Sequence, residues 1–156
     1  MKTNNQLYGY GQLKNEYYQT YADYHIKFIQ EYEKNKISIW GLSTTNEPVN
    51  GVITLVVYNT RLNCLGWFPD DLARWIVQNM GPTLRSSPYS HVKLFTLEDQ
   101  RYSIPAWFYR MVDQYPEVVN YIEGVALHFY ADDTTPISIL AEFRERFPDL
   151  KLLSTE

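Results

Sequence analysis

Two acidic residues stand where chemistry could start. Glu47 lies in the run Asn46-Glu47-Pro48, a few residues after one apolar stretch, and Glu156 closes another. Two carboxyl groups held about 5 to 5.5 Å apart on either side of an anomeric carbon can break a glycosidic bond with retention of configuration. One must carry a proton to release the leaving group, and the other must be ionised to attack. Acidic residues at strand ends are also ordinary solvated or helix-capping groups, so spacing alone leaves both readings open. Further polar residues gather in comparable places: Thr44 to Glu47, Glu98 to Arg101, and His128 with Tyr130. Metal chemistry has little to draw on, because His25, His91 and His128 are scattered and no Cys or His cluster has ligand spacing. The lone Cys64 can form no internal disulfide and reads as a buried free thiol, which leaves the redox compartment open.

The elements that must position these residues follow from periodicity. Tyr18, Tyr21, Ala22, His25, Phe28, Ile29 and Tyr32 recur at helical spacing, with Asp23, Lys27, Gln30 and Glu33 on the other face. A short strand is expected over 37–42, then a polar turn over 43–50 and a long loop or hairpin over 51–68. Pro69 suits the first position of a helix whose positive end favours Asp70 and Asp71. Its apolar side is Leu72, Trp75, Ile76 and Met80, and Gly81-Pro82 should stop it. Strands are expected over 92–97, 125–130 and 151–155, and helices over 104–115, 117–123 and from Ile137 to a stop at Pro148. Trp40, Trp67, Trp75 and Trp107 read as packing residues.

The order is one helix, three strand–helix units and a last strand, which implies parallel pairing in an α/β fold. Strands this apolar fit a sheet covered on both faces. An open doubly wound sheet and part of a (β/α)8 barrel both satisfy the pattern. No Gly-rich phosphate loop follows any strand, which weakens the nucleotide-binding version. In a barrel, the polar strand ends would form one rim.

The chain has 156 residues, enough for one ordinary domain, and its 45% hydrophobic, 16% aromatic and 21% charged content is globular. A net charge of -4 and a pI near 5.4 argue against a nucleic-acid partner. The polar start Met1-Lys2-Thr3-Asn4-Asn5-Gln6 has no signal-peptide character, no apolar run could span a bilayer, and no Asn-x-Ser/Thr acceptor occurs.

The letters around the polar positions narrow the choice. The segment Ile39-Trp40-Gly41-Leu42-Ser43-Thr44-Thr45-Asn46-Glu47-Pro48 resembles the acid/base strand of barrel glycosidases whose carboxylates lie on strands 4 and 7. Met1-Lys2-Thr3-Asn4, Cys64-Leu65-Gly66, Gly81-Pro82-Thr83-Leu84, Asp99-Gln100-Arg101, Val125-Ala126-Leu127-His128-Phe129-Tyr130 and Ser154-Thr155-Glu156 follow in the order seen in glucosylceramidases. On these motifs the chain resembles the glucosylceramidases of glycoside hydrolase family 30 along essentially its whole length.

The resemblance implies a partial TIM (β/α)8 barrel, roughly strands 4 to 7 with their helices. Residues 1–156 would be a fragment of the catalytic domain, without the family's second, β-rich domain. Glu47 would be the acid/base and Glu156 the nucleophile. Asn46 would hold the sugar 2-hydroxyl, Tyr130 would bond a catalytic carboxylate, and His128 would support the local network. Asp99 and Gln100 fit the cleft edge. Without the resemblance, His128 would read as a core histidine and Tyr130 as an amphipathic plug. The implied reaction is hydrolysis of glucosylceramide to glucose and ceramide with no cofactor or metal. The substrate would be a glycosphingolipid at a membrane surface, the helper a saposin-like lipid-binding activator protein, and the full-length protein lysosomal, although this chain carries no targeting signal. The alternatives are another family 30 β-glycosidase for soluble or polysaccharide substrates, and a truncated non-catalytic paralogue. A partial barrel leaves sheet edges unpaired, so the expectation is that this chain alone is poorly folded and inactive.

Overall fold

The computed structural model describes residues 1–52 and 63–156. Most of the loop expected over 51–68 lies outside the described residues. A short 3-10 turn, Asn15–Tyr17, leads into helix α1, Tyr18–Lys34, whose inner face is Tyr18, Ala22, His25 and Ile29. Strand β1 is Gly41–Ser43. Helix α2 spans 69–86 as an α segment Pro69–Trp75, a π-turn Ile76–Met80 and a second α segment Gly81–Ser86. Strand β2 is Lys93–Gln100, and helix α3 joins a π-turn Ile104–Phe108 to Tyr109–Gln114. A 3-10 turn Pro116–Asn120, strand β3 Gly124–His128, helix α4 Ser138–Arg146 and strand β4 Lys151–Ser154 complete the order.

The four strands form one parallel sheet in the order β1-β2-β3-β4. Parallel neighbours need a covered crossover, and each pair of strands is joined through a helix as the alternating pattern predicts. The inner strands are buried almost throughout, while β1 and β4, each paired on one side, are partly exposed. The core lies between sheet and helices: Trp75, Ile76, Met80 and Leu84 of α2 meet Leu94, Val125, Phe108 and Phe143, all fully buried. Phe108, Phe143 and Phe147 form an aromatic cluster with centroids 5.3 to 5.5 Å apart. The indole N–H of Trp75 donates to the Tyr18 carbonyl at 2.9 Å and ties α1 to α2.

Several boundaries differ from expectation for identifiable reasons. Helix α2 does not stop at Gly81-Pro82. The Gly81 N–H bonds back to Ile76 O across the π-turn, and Pro82 then opens a new α segment, where its missing N–H costs nothing. Gly81 is required by packing, since a Cβ there would sit 2.3 Å from the Tyr121 ring. Strand β1 is half the length expected, pairing with β2 only over Gly41 to Ser43, and the 3-10 turn ends at Asn120 rather than 123. Strand β2 runs three residues past Leu97 because a bulge between Leu97 and Asp99 lets pairing resume. Strand β3 ends at His128, so Tyr130 stands in the following turn. Trp67, Trp75 and Trp107 are packed, but Trp40 is largely exposed on a cavity of about 300 Å³ lined also by Phe95, Glu98, Ala126 and Leu153.

Candidate active site

The carboxyl ends of the four strands converge on one histidine. Past β1, Thr44 N donates to Phe95 O at 3.0 Å and Glu47 N donates to Glu98 O at 2.9 Å, which holds the polar turn against β2. The turn closes with Glu47 at φ 42 and Asn50 N donating to Glu47 O at 3.0 Å. That conformation aims the Glu47 side chain at a ready-made set of partners. Oε2 accepts from Asn50 Nδ2 at 2.6 Å, Oε1 accepts from Gln100 Nε2 at 3.2 Å, and Oε1 faces His128 Nδ1 at 3.3 Å.

The bulge in β2 supplies the opposite wall. Leu97 (φ 73) and Glu98 (φ 50) are both left-handed, a costly backbone for residues with a Cβ. Glu98 is the extra residue at this point, and its Oε1 lies 3.4 Å from His128 Nε2. Asp99 is buried, accepts N–H bonds from Gln100 at 2.7 Å and Val49 at 3.4 Å, and its carboxyl is pushed up to about 6. Burial is the main cause; the two backbone donors pull the other way and the charge of Glu47 adds to the rise.

Glu156 enters from beyond β4. Its Oε2 accepts the Tyr130 hydroxyl at 2.9 Å and lies 3.8 Å from His128 Nδ1. The bond to Glu156 raises the Tyr130 phenol above its ordinary range. Because one nitrogen of His128 lies 3.3 Å from Glu47 and 3.8 Å from Glu156, the two carboxylate oxygens are separated by no more than those distances end to end, about 7 Å. Oxygens that close can bracket one sugar carbon. The Glu47 side chain is 15% exposed and that of Glu156 44% exposed, while the His128 side chain is fully buried.

Glu47, Glu156, His128, Tyr130 and Gln100 therefore meet in one cluster. Gln100 is not at a cleft edge but buried behind Glu47, because the bulge carries β2 that far. Tyr130 reaches Glu156 from the turn after β3 and not from within the strand expected over 125–130. Asn46 is exposed next to Glu47, and no side-chain hydrogen bond holds it among the described residues. Sequence reasoning missed Asn50, whose place in a polar turn hides its bond to Glu47, and the contact of Glu98 with His128. It also missed the task of Arg101, which donates to Asp132 O at 2.9 Å and to Thr135 O and pairs with Asp132 Oδ2 at 3.2 Å, fixing the turn that follows Tyr130. Among the described residues no group of three or more His, Cys, Asp or Glu is placed to hold a metal ion, and no helix is long and apolar enough to cross a membrane.

This geometry coincides with a family match. The glycosyl hydrolase family 30 TIM-barrel domain matches residues 1–156. The chain belongs to glycosyl hydrolase family 30. Along all of its length this family 30 chain is 34% identical, over 161 residues, to the lysosomal acid glucosylceramidase of Mus musculus, and it covers 30% of that protein. SrfJ of Salmonella typhimurium superposes with a TM-score of 0.83 at 24% identity, over 97% of this chain and 32% of SrfJ. The endo-β1,6-glucanase BT3312 superposes with a TM-score of 0.77 at 22% identity, over 95% and 31%. The chain thus spans about a third of the length of the relatives it matches. Its four parallel strands and their helices are the TIM-barrel architecture of family 30, a glycoside hydrolase family.

Proposed function

We propose that this chain forms the catalytic side of a retaining β-glucosidase that hydrolyses glucosylceramide to glucose and ceramide. The observation that carries the reading is the shared histidine: His128 Nδ1 lies 3.3 Å from Glu47 and 3.8 Å from Glu156. Glu47 protonates the glycosidic oxygen as Glu156 attacks the anomeric carbon, and the covalent glycosyl–Glu156 intermediate is then released by water that Glu47 deprotonates. Tyr130 orients Glu156, Gln100 and Asn50 orient Glu47, and Asn46, exposed beside Glu47, takes the sugar 2-hydroxyl. The two carboxyls supply the chemistry, so the reaction calls for no metal or organic cofactor.

The aglycone is read from kinship. Identity of 34% to a mouse protein named lysosomal acid glucosylceramidase supports a glycosphingolipid substrate and a lysosomal address for the complete protein; the proposal extends this to a substrate presented at a membrane surface with a saposin-like activator as helper. In the complete protein these four strands would be one part of a closed TIM barrel.

The test uses the complete polypeptide that carries this chain. Glucosylceramide in detergent should be turned over faster than a short β-linked oligosaccharide, and proton NMR should show β-glucose as the first product. Glu156→Gln should lose turnover by at least about 10⁴-fold, since the covalent step disappears. A preference for the oligosaccharide would move the aglycone to a polysaccharide. Wild-type turnover by Glu156→Gln would remove the nucleophile, and no turnover by the wild type would leave a non-catalytic barrel.

A further inference from the structure

Both ring nitrogens of His128 face carboxylate oxygens, Nδ1 toward Glu47 Oε1 at 3.3 Å and Nε2 toward Glu98 Oε1 at 3.4 Å. The ring is fully buried, so water cannot mediate either contact. A neutral imidazole offers one N–H and one lone pair. Two ionised carboxylates against it would set oxygen lone pairs against a nitrogen lone pair on one side. The cluster is satisfied only when it holds one proton more than a neutral histidine and two carboxylates.

We propose that Glu98 is a positioning residue for the acid step: it accepts Nε2–H of His128 and so turns the Nδ1 lone pair toward Glu47, where it receives the acid proton. The proposal rests on Glu47 being the acid/base. Three observations support this placement. Glu98 is buried and has no other side-chain partner among the described contacts, so accepting Nε2–H satisfies both groups at once. The left-handed pair Leu97 and Glu98 is strained, and the bulge it creates is what brings the Glu98 carboxylate to the ring. Asn50 and Gln100 approach Glu47 as N–H donors, so of its three side-chain partners His128 is the one that can offer a nitrogen lone pair to a Glu47 O–H.

The other charged and titratable groups around the ring agree with this assignment. Glu156 lies 3.8 Å from Nδ1, beyond hydrogen-bond reach, and takes its bond from Tyr130 instead. An Nδ1–H would donate to Glu47 Oε1, 3.3 Å away, and hold that carboxylate without the acid proton; a bare Nδ1 lets a Glu47 O–H donate to it. Asp99, held by its two backbone donors, and Arg101, engaged with Asp132 and Thr135, make no hydrogen bond to the ring. The proton balance closes over the cycle. Glu47 gives its proton to the glycosidic oxygen, which keeps the electron pair of the broken C–O bond while Glu156 bonds to carbon. In the second half, Glu47 takes a proton from the attacking water, Glu156 leaves with its electron pair, and the Glu47 O–H returns to Nδ1. Meanwhile the carboxylate of Glu47 faces a lone pair, and that repulsion favours recapture of the proton.

The experiment combines ring nitrogen NMR with kinetics of Glu98→Gln in the complete polypeptide. The His128 ring, assigned by its loss in His128→Asn, should show protonated Nε2 and unprotonated Nδ1 in the wild type. In Glu98→Gln the amide can donate to Nε2 and switch the ring to Nδ1–H, which stabilises ionised Glu47. The basic limb of the kcat profile should then move to lower pH. Turnover of a glucoside with a poor leaving group should fall about tenfold or more, while a dinitrophenyl glucoside that needs no acid should change little. Glu98→Asp should recover part of both effects. Wild-type pH profile and leaving-group dependence in Glu98→Gln would overturn the proposal, and so would Nδ1–H in the wild-type ring, a readout that survives even if the variant fails to fold. The parent reading fails separately: Glu47→Gln with undiminished turnover of the poor-leaving-group substrate would remove the acid/base, whereas a defective Glu47→Gln beside a normal Glu98→Gln would remove only the role of Glu98.

Discussion

Asp99 should make the protein less stable as pH rises, and Asp99→Asn isolates the effect. Burial pushes its carboxyl from an ordinary 3.8 up to about 6. The folded state therefore holds the proton more tightly than the unfolded chain does. The cost is absent below about pH 3.8, grows through the window between 3.8 and 6, and is complete above it. Each pH unit of displacement is about 1.4 kcal/mol, so the full cost is about 3 kcal/mol. Asparagine removes the ionisation but can accept only one of the two backbone N–H groups. It keeps the shorter bond from Gln100 at 2.7 Å and gives up the long one from Val49 at 3.4 Å, a loss of about 1 kcal/mol. Urea unfolding followed by fluorescence of the buried tryptophans should find Asp99→Asn slightly less stable than the wild type at pH 4. At pH 7.5 it should be more stable by about 2 kcal/mol. A difference between variant and wild type that stays constant from pH 4 to 7.5 would refute the reasoning, because it would mean that Asp99 pays nothing to ionise.

Two other substitutions probe how the site is held. Gly81→Ala would place a methyl 2.3 Å from the Tyr121 ring and 2.7 Å from Ile76 O, and should cost roughly 1 to 3 kcal/mol in urea unfolding; an unchanged midpoint would show that the π-turn can absorb it. Arg101→Met should release the turn carrying Asp132 and Thr135, costing roughly 1.5 to 3 kcal/mol. Hydrogen exchange should rise across 130–135, and protection equal to the wild type there would show that the turn is held by other contacts.

How much of this was legible in the sequence depends on how local the cause is. Pro69 with Asp70 and Asp71 marks a helix start through its own backbone chemistry, and α2 begins there. The βα alternation is written in short-range periodicity and yields a parallel sheet, whereas the sequential strand order followed only from the resemblance to a barrel family. Gly81-Pro82 misled because its meaning is tertiary: glycine makes room for Tyr121, and the π-turn makes room for proline. The run Leu94-Phe95-Thr96-Leu97-Glu98-Asp99-Gln100 reads as a strand followed by a polar edge. The bulge that keeps it a strand depends on pairing with Ala126 and Leu127, far along the chain. The same gap hid the inward role of Glu98 and the burial of Gln100. Residue types at strand ends thus pointed to where the carboxylates cluster, whereas the partners within that cluster required the register.

The backbone at the site shows what the fold gives up for that register. Five non-glycine residues adopt positive φ among those described, and three of them, Glu47, Leu97 and Glu98, belong to the carboxylate cluster. Left-handed backbone at such residues costs of order 1 to 3 kcal/mol each. The surroundings over-determine them: Glu47 N is bonded to Glu98 O, Leu97 is fully buried, and β2 is paired on both sides of the bulge. An unstrained β2 would keep its two-residue alternation, and Glu98 would lose its position as the unpaired residue facing His128. The strain therefore sits where straight strands could not bring a glutamate, a histidine and a second glutamate into line, and the rigid sheet on either side is what keeps it from relaxing.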